Sequence, residues 1–374
     1  MKFVIITHVP HIKEEKKYYA YAPYVREMNI WGKHVDELLI VAPFFSGKAG
    51  IIDSYYEHKK IQFIPVPSFD LLSLKAVLLT LFKLPYLLWI IFKAMKNADH
   101  IHLRCPGNIG LLGCLVQILF PNTPKTAKYA GNWDPKSKQP WTYQLQKWIL
   151  SNPFLTRNMQ VLVYGEWEGS SQNIKPFFTA TYSENEKMAL TPKVLQGVVD
   201  FVFVGTLVKG KQPLFVIQLI ERLHQKGYLV RLRMYGEGVQ RKIQEDYIAA
   251  HQLESIITLE GNQSKTIVQK AYQDSHFVVL PSESEGWPKV IAEGMFWGCV
   301  PIATSVSCVP FMLDYGKRGL LLKMEIEHDS RLIEAVLQDQ TDFNRKRIKA
   351  SDWSRSYTLE VFEQAIEGLI VEED

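Results

Sequence analysis

Residues 277–303 read FVVLPSESEGWPKVIAEGMFWGCVPIA. The apolar residues at either end predict two strands, and the polar residues after the first of them predict a loop. Between the loop and the second strand the pattern predicts a helix that begins at Trp287-Pro288 and stops at Gly298. Proline is tolerated at the first helical position and glycine commonly ends a helix. This order of elements predicts part of a parallel βαβ sheet.

The start of this helix combines several features of a binding site. Gly286 lets a ligand approach the backbone closely, and the first amides of a helix attract oxyanions and hydroxyl-rich ligands. Glu285 and Glu293 lie on either side of the helix start, and carboxylates accept paired hydrogen bonds from sugar hydroxyls. Taken singly, Glu285 is better explained as an acid that favours the helix dipole, and Glu293 as a solvent-facing side chain.

The rest of the chain extends the same architecture. Its 374 residues exceed the length at which one hydrophobic core usually stops growing. Short apolar runs alternate with helical patterns, which predicts parallel sheets. The runs lie near residues 3–7, 38–42, 61–65, 100–103, 126–129, 161–164, 178–182, 201–204, 230–235, 256–260, 277–280, 300–303 and 319–322. The alternation restarts near residue 200, so we predict domains over 1–195 and 196–352, followed by a helix over 353–374 whose apolar spacing is explained by capping of the second domain.

Composition limits the class of protein. Hydrophobic residues make up 47% of the chain and charged residues 22%, which argues against a disordered protein. The N-terminal run reads as a strand without a cleavage site, and the four cysteines lack metal-ligand spacing. We therefore expect a cytoplasmic protein with reduced thiols. Residues 1–195 contain 23 Lys and Arg against 14 Asp and Glu, which suits a first domain that meets an anionic surface or acceptor.

One apolar segment, Leu71 to Phe92, approaches the length of a membrane span. Charged residues within it argue against spanning, and Pro85 is expected to divide it into two shorter helices. Two interpretations stay open. The helices pack on the first sheet, or an exposed apolar face rests on a membrane with basic side chains toward anionic headgroups. The basic side chains in question are Lys83, Lys93 and Lys96.

Four segments together resemble glycosyltransferase family 4. Residues 285–304, EGWPKVIAEGMFWGCVPIAT, are similar to its E-x7-E donor-binding segment, and 201–211, FVFVGTLVKGK, to its first strand and phosphate loop. Residues 234–243, MYGEGVQRKI, resemble its Gly-x-Gly loop, and 257–262, ITLEGN, the strand beside the nucleobase. The resemblance implies an α/β fold of two Rossmann-like domains whose parallel sheets face each other across a cleft, the GT-B arrangement. The first domain would bind the acceptor and the second a nucleotide sugar, and the helix over 353–374 would cross back to the first domain.

The resemblance also implies roles for individual residues. Glu285 would hold hydroxyls of the transferred sugar, Glu293 would hold the ribose, and Lys211 would neutralise the diphosphate. Glu285 and Lys211 are thus the expected catalytic residues. The remaining donor contacts would come from Gly205, Thr206, Gly236, Gly286, Trp287, Pro288 and Lys289.

Two departures from the family pattern bear on these roles. Thr206 stands where the family usually has arginine, so Lys209, Lys13 or Lys16 would have to supply the second cation. Ala130 or Gly131 stands where many members have a histidine. A retaining transfer tolerates that loss, because the leaving phosphate is thought to accept the acceptor's proton. The side chains predicted to orient the acceptor are His8, His102 and Asp134.

The predicted activity is metal-independent retaining transfer of a hexose-type sugar to a glycan or lipid-linked acceptor, in bacterial surface polysaccharide synthesis. The sequence contains no Asp-x-Asp motif, and a metal-bridged diphosphate needs carboxylates close to the cation. We expect no cofactor besides the donor substrate, possible peripheral contact with an anionic membrane, and no nucleic-acid partner. Two alternatives stay open: a nucleotide-sugar epimerase or hydrolase of the same fold, and an inactive donor-binding subunit.

Overall fold

The computed structural model describes residues 1–50, 52–67 and 74–370, and for residues 74–81 it describes the backbone alone. The chain divides into two compact units. The first unit comprises Met1–Phe178 and the chain from Phe362 onward, and the second unit comprises Thr179–Val361.

Up to Phe178, the described residues of the first unit form ten strands and four α-helices. The strands are β1 (Lys2–Ile6), β2 (Ile12–Glu14), β3 (Lys17–Tyr21), β4 (Glu37–Pro43), β5 (Asp53–Tyr55), β6 (Ile61–Val66), β7 (His100–Cys105), β8 (Lys125–Tyr129), β9 (Met159–Tyr164) and β10 (Ile174–Phe177). The helices are α1 (Ala22–Lys33), α2 (Leu74–Met95), α3 (Asn108–Val116) and α4 (Trp141–Leu150).

Seven of these strands form one parallel sheet in the order β10-β9-β8-β7-β1-β4-β6. β1 lies between β4 and β7, where Ile6 lies opposite Val41 on one side and Leu103 on the other. Alternate residues serve the two faces, as the pleat requires. Val4 and Ile6 share one core with residues of α2, α3 and α4. On the other face, the Phe3 ring packs 5.5 Å from that of Trp31 in α1.

The structure corrects the prediction for the segment around Pro85. Proline does not divide it, because α2 runs as one helix of 22 residues with Pro85 inside. A proline within a helix costs about 3 kcal/mol. The fully buried side chains that follow it, including Leu87, Ile91 and Met95, offset that cost because burying each contributes roughly 1.5–3 kcal/mol. Among the described residues, none of the helices has the length and apolar character to cross a bilayer.

The second unit repeats the parallel design. Its strands are β11 (Val199–Val204), β12 (Val230–Tyr235), β13 (Ile257–Gly261), β14 (Phe277–Leu280), β15 (Val300–Thr304) and β16 (Leu320–Leu322). Its helices are α5 (Pro213–Gln225), α6 (Arg241–Ala250), α7 (Lys265–Asp274), α8 (Lys289–Phe296), α9 (Val309–Met312), α10 (Ile326–Leu337) and α11 (Gln340–Arg355). The sheet order β13-β12-β11-β14-β15-β16 is the strand order of dinucleotide-binding Rossmann folds.

The last helix, α12 (Leu359–Ile370), contributes a buried aromatic side chain to the first unit. Phe362 lies with its ring 5.5 Å from that of Phe177 and 5.6 Å from that of Phe178. The ammonium of Lys128, itself fully buried, lies 4.9 Å from the Phe362 ring centroid. Cation and aromatic contacts therefore attach the final helix to the strands of the first sheet.

Two strand predictions differ from the structure. The strand predicted at 178–182 lies instead at Ile174–Phe177. The chain leaves the sheet at Phe178, whose carbonyl accepts a hydrogen bond from Lys128 Nζ at 2.8 Å. The sequence interpretation also missed the small antiparallel sheet β2-β3-β5. Its β2-β3 turn contains Glu15 at φ 53° in place of the glycine or asparagine that usually marks such turns.

Candidate functional site

The second sheet reverses its strand order between β11 and β14, and open parallel sheets bind ligands at this switch point, beyond the carboxyl ends of the strands. The loops that follow these two strands meet there. The Glu283 amide donates to the Gly210 carbonyl at 2.9 Å, and Gln212 Nε2 donates to Glu283 Oε1 at 2.6 Å. The predicted donor loops therefore form one continuous rim.

Lys211 and Glu285 form an ion pair on this rim, with Lys211 Nζ donating to Glu285 Oε1. Lys211 ends a short 3-10 turn after β11, and Glu285 lies in the loop that leads into α8. The Lys211 side chain is 29% exposed and that of Glu285 10%, so both charges sit below the surface while the lysine remains accessible. One cation and one strong hydrogen-bond acceptor thus lie side by side at the switch point.

The Gly-x-Gly pattern has a packing explanation within this rim. A Cβ on Gly236, which has φ 134°, would lie 2.0 Å from the Gly205 carbonyl oxygen. A Cβ on Gly238 would lie 2.3 Å from the Leu207 carbonyl oxygen. The Leu207 amide also donates to the Glu237 carbonyl at 3.0 Å. Glycine is required because two backbone segments touch here, while the predicted contacts of Gly205, Thr206 and Gly236 with a donor stay predictions.

The start of α8 differs by one residue from its prediction. Pro288 is the N-cap and not the first helical residue, because its ψ of 85° lies outside the helical range. Its carbonyl nevertheless accepts from the Ile291 amide at 3.0 Å, so it completes the first turn. The preceding Gly286 carbonyl is turned away toward Cys308, whose Sγ donates to it at 3.2 Å. Burial raises the pKa of Cys308 to about 12, which keeps this donor protonated.

The Trp287 side chain packs against other aromatic side chains. It is 7% exposed, and its rings lie 5.9 Å from those of Trp353 and 5.6 Å from that of Tyr357. The indole therefore anchors the α8 start to α11. Lys289, the first residue of α8, lines a small cleft shared with Glu293.

Glu293 is held by two hydroxyl groups from different segments. Thr181 Oγ1 donates to its Oε1 at 2.8 Å, and the Tyr272 hydroxyl donates to its Oε2 at 3.3 Å. Tyr272 is fully buried. Burial, followed by the neighbouring Glu293 charge, raises the Tyr272 pKa well above its ordinary value, so the hydroxyl stays a donor. The structure thus brings Lys211 and Glu285 into contact and places Glu293 among other partners.

Thr181 and Tyr272 were missed by the sequence interpretation. Thr181 fell within a predicted strand, and nothing in its surroundings marked it as a partner for a distant acid. Tyr272 follows the amphipathic pattern of α7 and resembles an ordinary core residue. A polar side chain that the pattern places in the core was the available signal for Tyr272, since buried hydroxyls usually have partners.

In the first unit, the sheet order reverses between β1 and β7. His8 follows β1, and a Cβ on Gly107 would lie 2.5 Å from its Nδ1. The ring therefore lies against the chain that leaves β7. Enclosure by its neighbours, followed by the positive charge of Arg104, lowers the pKa of His8. Asp134 lies in the loop after β8, where its Oδ1 accepts from the Lys136 amide at 2.8 Å.

His102 occupies a different environment from these two residues. It lies in the middle of β7, is fully buried, and stacks 5.6 Å from Phe3. Its Nδ1 pairs with Thr126 Oγ1 at 2.9 Å, and burial lowers its pKa well below the ordinary value. His102 is therefore a neutral core residue without surface for an acceptor to contact.

The sequence interpretation did not anticipate a buried cluster of charged side chains in the first unit. Arg104 Nη1 donates to Glu27 Oε1 at 2.7 Å, and Lys128 Nζ lies 3.3 Å from the same oxygen. All three side chains are largely removed from solvent. The sequence carried a signal, because Arg104 lies directly after one predicted strand and Lys128 inside the next, and charges buried in a sheet need partners.

Among the described residues, no group of three or more His, Cys, Asp or Glu side chains is arranged to hold a metal ion. Metal independence stays a prediction.

The family found by comparison with known proteins matches residues of the second unit. Residues 194–353 match the family described as glycosyl transferases group 1. A putative colanic acid biosynthesis glycosyltransferase, WcaL of Salmonella typhimurium, is 26% identical over an alignment of 146 positions that covers 37% of this chain and 35% of that protein. The match thus spans about a third of the relative.

Solved structures resemble more of the chain. HepE of Anabaena, in complex with UDP and glucose, has a TM-score of 0.68 at 14% identity and covers 98% of both chains. TarM of S. aureus has a TM-score of 0.57 at 18% identity, over 76% of this chain and 58% of TarM. These likenesses confirm the predicted fold class of two Rossmann-like α/β domains. In sequence, residues 194–353 match glycosyl transferases group 1, and in fold nearly the whole chain matches a protein solved with UDP and glucose.

Proposed function

We propose that this protein is a glycosyltransferase that moves a hexose-type sugar from a nucleotide diphosphate to a glycan or lipid-linked acceptor. The observation that carries the proposal is the Lys211–Glu285 ion pair at the switch point of the second sheet. It lies inside the segment that matches glycosyl transferases group 1. At that rim the cation can bind the diphosphate of an activated sugar, and the carboxylate can bind the hydroxyls of its sugar ring.

The proposed step uses these two groups differently. Breaking the bond between the sugar's anomeric carbon and the distal phosphate oxygen leaves the electron pair on the phosphate. The Lys211 ammonium stabilises that developing charge, as preorganised cations do in phosphate departure. The Glu285 carboxylate accepts hydrogen bonds from sugar hydroxyls and fixes the ring.

The acceptor's hydroxyl oxygen forms the new bond to the anomeric carbon on the face that the phosphate leaves. Its proton passes to the departing phosphate oxygen, so the configuration is retained and neither a histidine base nor a metal ion is needed. In this proposal Glu293 holds the ribose, with its orientation set by Thr181 and Tyr272. Amides around Gly286 and Lys289 contact the sugar or the diphosphate.

Two likenesses support the choice of substrates. HepE and TarM were each solved with UDP, which favours a nucleotide diphosphate sugar as donor. WcaL is described as a putative enzyme of colanic acid biosynthesis, which favours bacterial surface polysaccharide as the product. We accordingly place the protein in the cytoplasm, peripheral to the inner face of the cell membrane, with the first unit meeting the acceptor.

A thermal-shift panel of nucleotide sugars tests the donor part, because a ligand that binds only the folded state raises its melting temperature. The donor that raises it is then incubated with glycan and lipid-linked acceptors, and wild type is compared with Glu285→Gln. We expect a new glycoside from wild type and at least 100-fold less from the variant.

Other outcomes would replace the proposal. Donor turnover without any acceptor would indicate an epimerase or hydrolase, and donor binding without product would indicate an inactive donor-binding subunit. A panel in which no nucleotide sugar shifts the melting temperature would overturn the donor site itself.

A further inference from the structure

The outward side of α2 carries an exposed aromatic stripe. Phe82, Tyr86, Trp89 and Lys93 recur at helical spacing, so they share one side of the helix. Phe82 is 85% exposed and Trp89 57%. The Lys93 ammonium lies 5.2 Å from the Trp89 ring centroid, which places cation and ring on the same surface.

In the part of α2 whose side chains are described, the residues on the opposite side pack into the core. Leu87, Ile91 and Met95 are completely buried in the cluster that also contains residues of α3 and α4. The three helices therefore form one layer over one face of the sheet, and their outer sides form one surface. The aromatic stripe is not needed for packing on the sheet, since that packing uses the other side of the helix.

Neighbouring residues of this layer extend the apolar surface. The Phe92 ring lies 5.3 Å from that of Phe120, next to the exposed Leu119. On α4, Trp141 and Trp148 are both more than half exposed, and their spacing of two turns puts them on one side.

Charge distinguishes this layer from an ordinary protein surface. Apart from the largely buried Arg104, Lys125 and Lys128, residues 82–157 contain seven Lys and Arg but two acidic residues, Asp99 and Asp134. Lys83 and Lys93 are exposed on α2 itself, and Lys96 is exposed directly after it. Exposed aromatic rings combined with a strong excess of cations are the features of surfaces that lie in the interface of anionic bilayers.

We infer that the aromatic face, formed by Phe82, Tyr86, Trp89 and Lys93 on the outer side of the α2–α4 layer, docks on anionic lipid. The rings enter the interfacial region, where amphipathic aromatic side chains are favoured, and the lysines meet the headgroups. The inference deepens the membrane location given under the proposed function by naming the surface that makes the contact, and it is independent of the transfer reaction because it requires neither donor nor acceptor. The rival occupant is a second copy of this chain, whose residues 196–374 carry 25 Asp and Glu against 20 Lys and Arg.

Vesicle flotation of the full chain tests the inference. At low salt the protein should float with vesicles containing phosphatidylglycerol and remain behind with phosphatidylcholine alone. The double variant Phe82→Ala/Trp89→Ala should lose most of this binding, and Lys93→Glu should weaken it at least fivefold, since each cation near an anionic surface contributes about that factor. Matched controls are Leu229→Ala, at a side chain 61% exposed in the second unit, and Lys349→Glu, which is also exposed.

Sedimentation velocity without lipid addresses the rival. A monomer supports the inference, whereas a dimer that Trp89→Ala converts to monomer would overturn it. It would also be overturned if wild type failed to float with anionic vesicles at low salt, or if the aromatic variants floated like their controls. The nucleotide-sugar thermal shift should be the same in Trp89→Ala and wild type, so failure of lipid docking and failure of the proposed transfer are separate results.

Discussion

Lys211 and Glu285 face each other across the point where the strand order of the second sheet reverses, one after β11 and the other after β14. They are 74 residues apart in the chain, so the contact depends on the two strands being neighbours. Each group neutralises the other's partly buried charge, and each is available to a ligand that supplies a phosphate or a hydroxyl.

The first prediction concerns the cation of this pair. Lys211→Met should lower kcat for transfer by about 100-fold or more, because a preorganised charge near the leaving phosphate is lost. Lys211→Arg should retain part of the activity. Steady-state kinetics with the donor identified by thermal shift measure both. Lys317→Met, at a lysine whose side chain is 69% exposed, is the control, and equal rates for Lys211→Met and this control would contradict the assignment.

A second prediction follows from Thr206, which stands exposed in the loop between Gly205 and Leu207. Thr206→Arg should tighten donor binding by about tenfold or more, because a charge-assisted hydrogen bond contributes roughly 1.5–3 kcal/mol. Calorimetric titration with the donor measures the change, and Thr206→Gln controls for side-chain length. If arginine binds no more tightly than glutamine, another cation already fills the position, and Lys209→Met should then weaken binding.

A third prediction tests whether Thr181 positions Glu293. Thr181→Val keeps the shape of the side chain and removes the 2.8 Å hydrogen bond to the carboxylate. We expect the donor KM to rise about tenfold with kcat little changed, since hydrogen bonds to charged groups contribute roughly 1.5–3 kcal/mol. Thr181→Ser should restore the wild-type KM. A valine variant with wild-type KM would show that Glu293 does not need this hydroxyl to bind the donor.

The fourth prediction separates packing glycines from a freely exposed one. Gly238→Ala should lower the free energy of unfolding by about 2–3 kcal/mol, because its Cβ would meet the Leu207 carbonyl oxygen at 2.3 Å. Gly368→Ala should raise it by about 0.5–1 kcal/mol, since that glycine lies in a helix with nothing near its Cβ. Urea unfolding measures both. A neutral Gly238→Ala would mean that the two loops separate easily.

A fifth prediction is a loss of stability in mild acid. Burial lowers the pKa of His100 to about 4, below its ordinary value of about 6.5. The unfolded chain therefore binds more protons than the folded chain between these values, and stability falls as pH decreases through them. For His100 the loss should reach about 2 kcal/mol at pH 5.

Urea unfolding at pH 7 and pH 5 measures this loss, and His100→Asn should show less of it than wild type. The exposed His224 provides the control, because His224→Asn should leave the pH dependence unchanged. An identical pH dependence in His100→Asn and wild type would contradict the prediction.

Local pattern was sufficient for the parallel strands of both units. β4, at Glu37–Pro43, and β14, at Phe277–Leu280, lie where their apolar runs predict them, because a strand buried on both faces needs a continuous apolar run. Pattern was insufficient for β2, β3 and β5, which are short strands with charged residues. The turn that joins β2 and β3 contains no glycine.

Sequence by itself determined the two-sheet architecture and the motif from Glu285 to Glu293 that resembles a donor-binding segment. Periodicity, turn residues and short motifs are properties of neighbouring residues. Tertiary structure alone decided that Lys211 pairs with Glu285, that Thr181 and Tyr272 hold Glu293, and that α2 continues through Pro85. Each of these depends on free energies supplied by residues far apart in the chain. Such contacts form only when the sheets bring them together, so no local pattern encodes them.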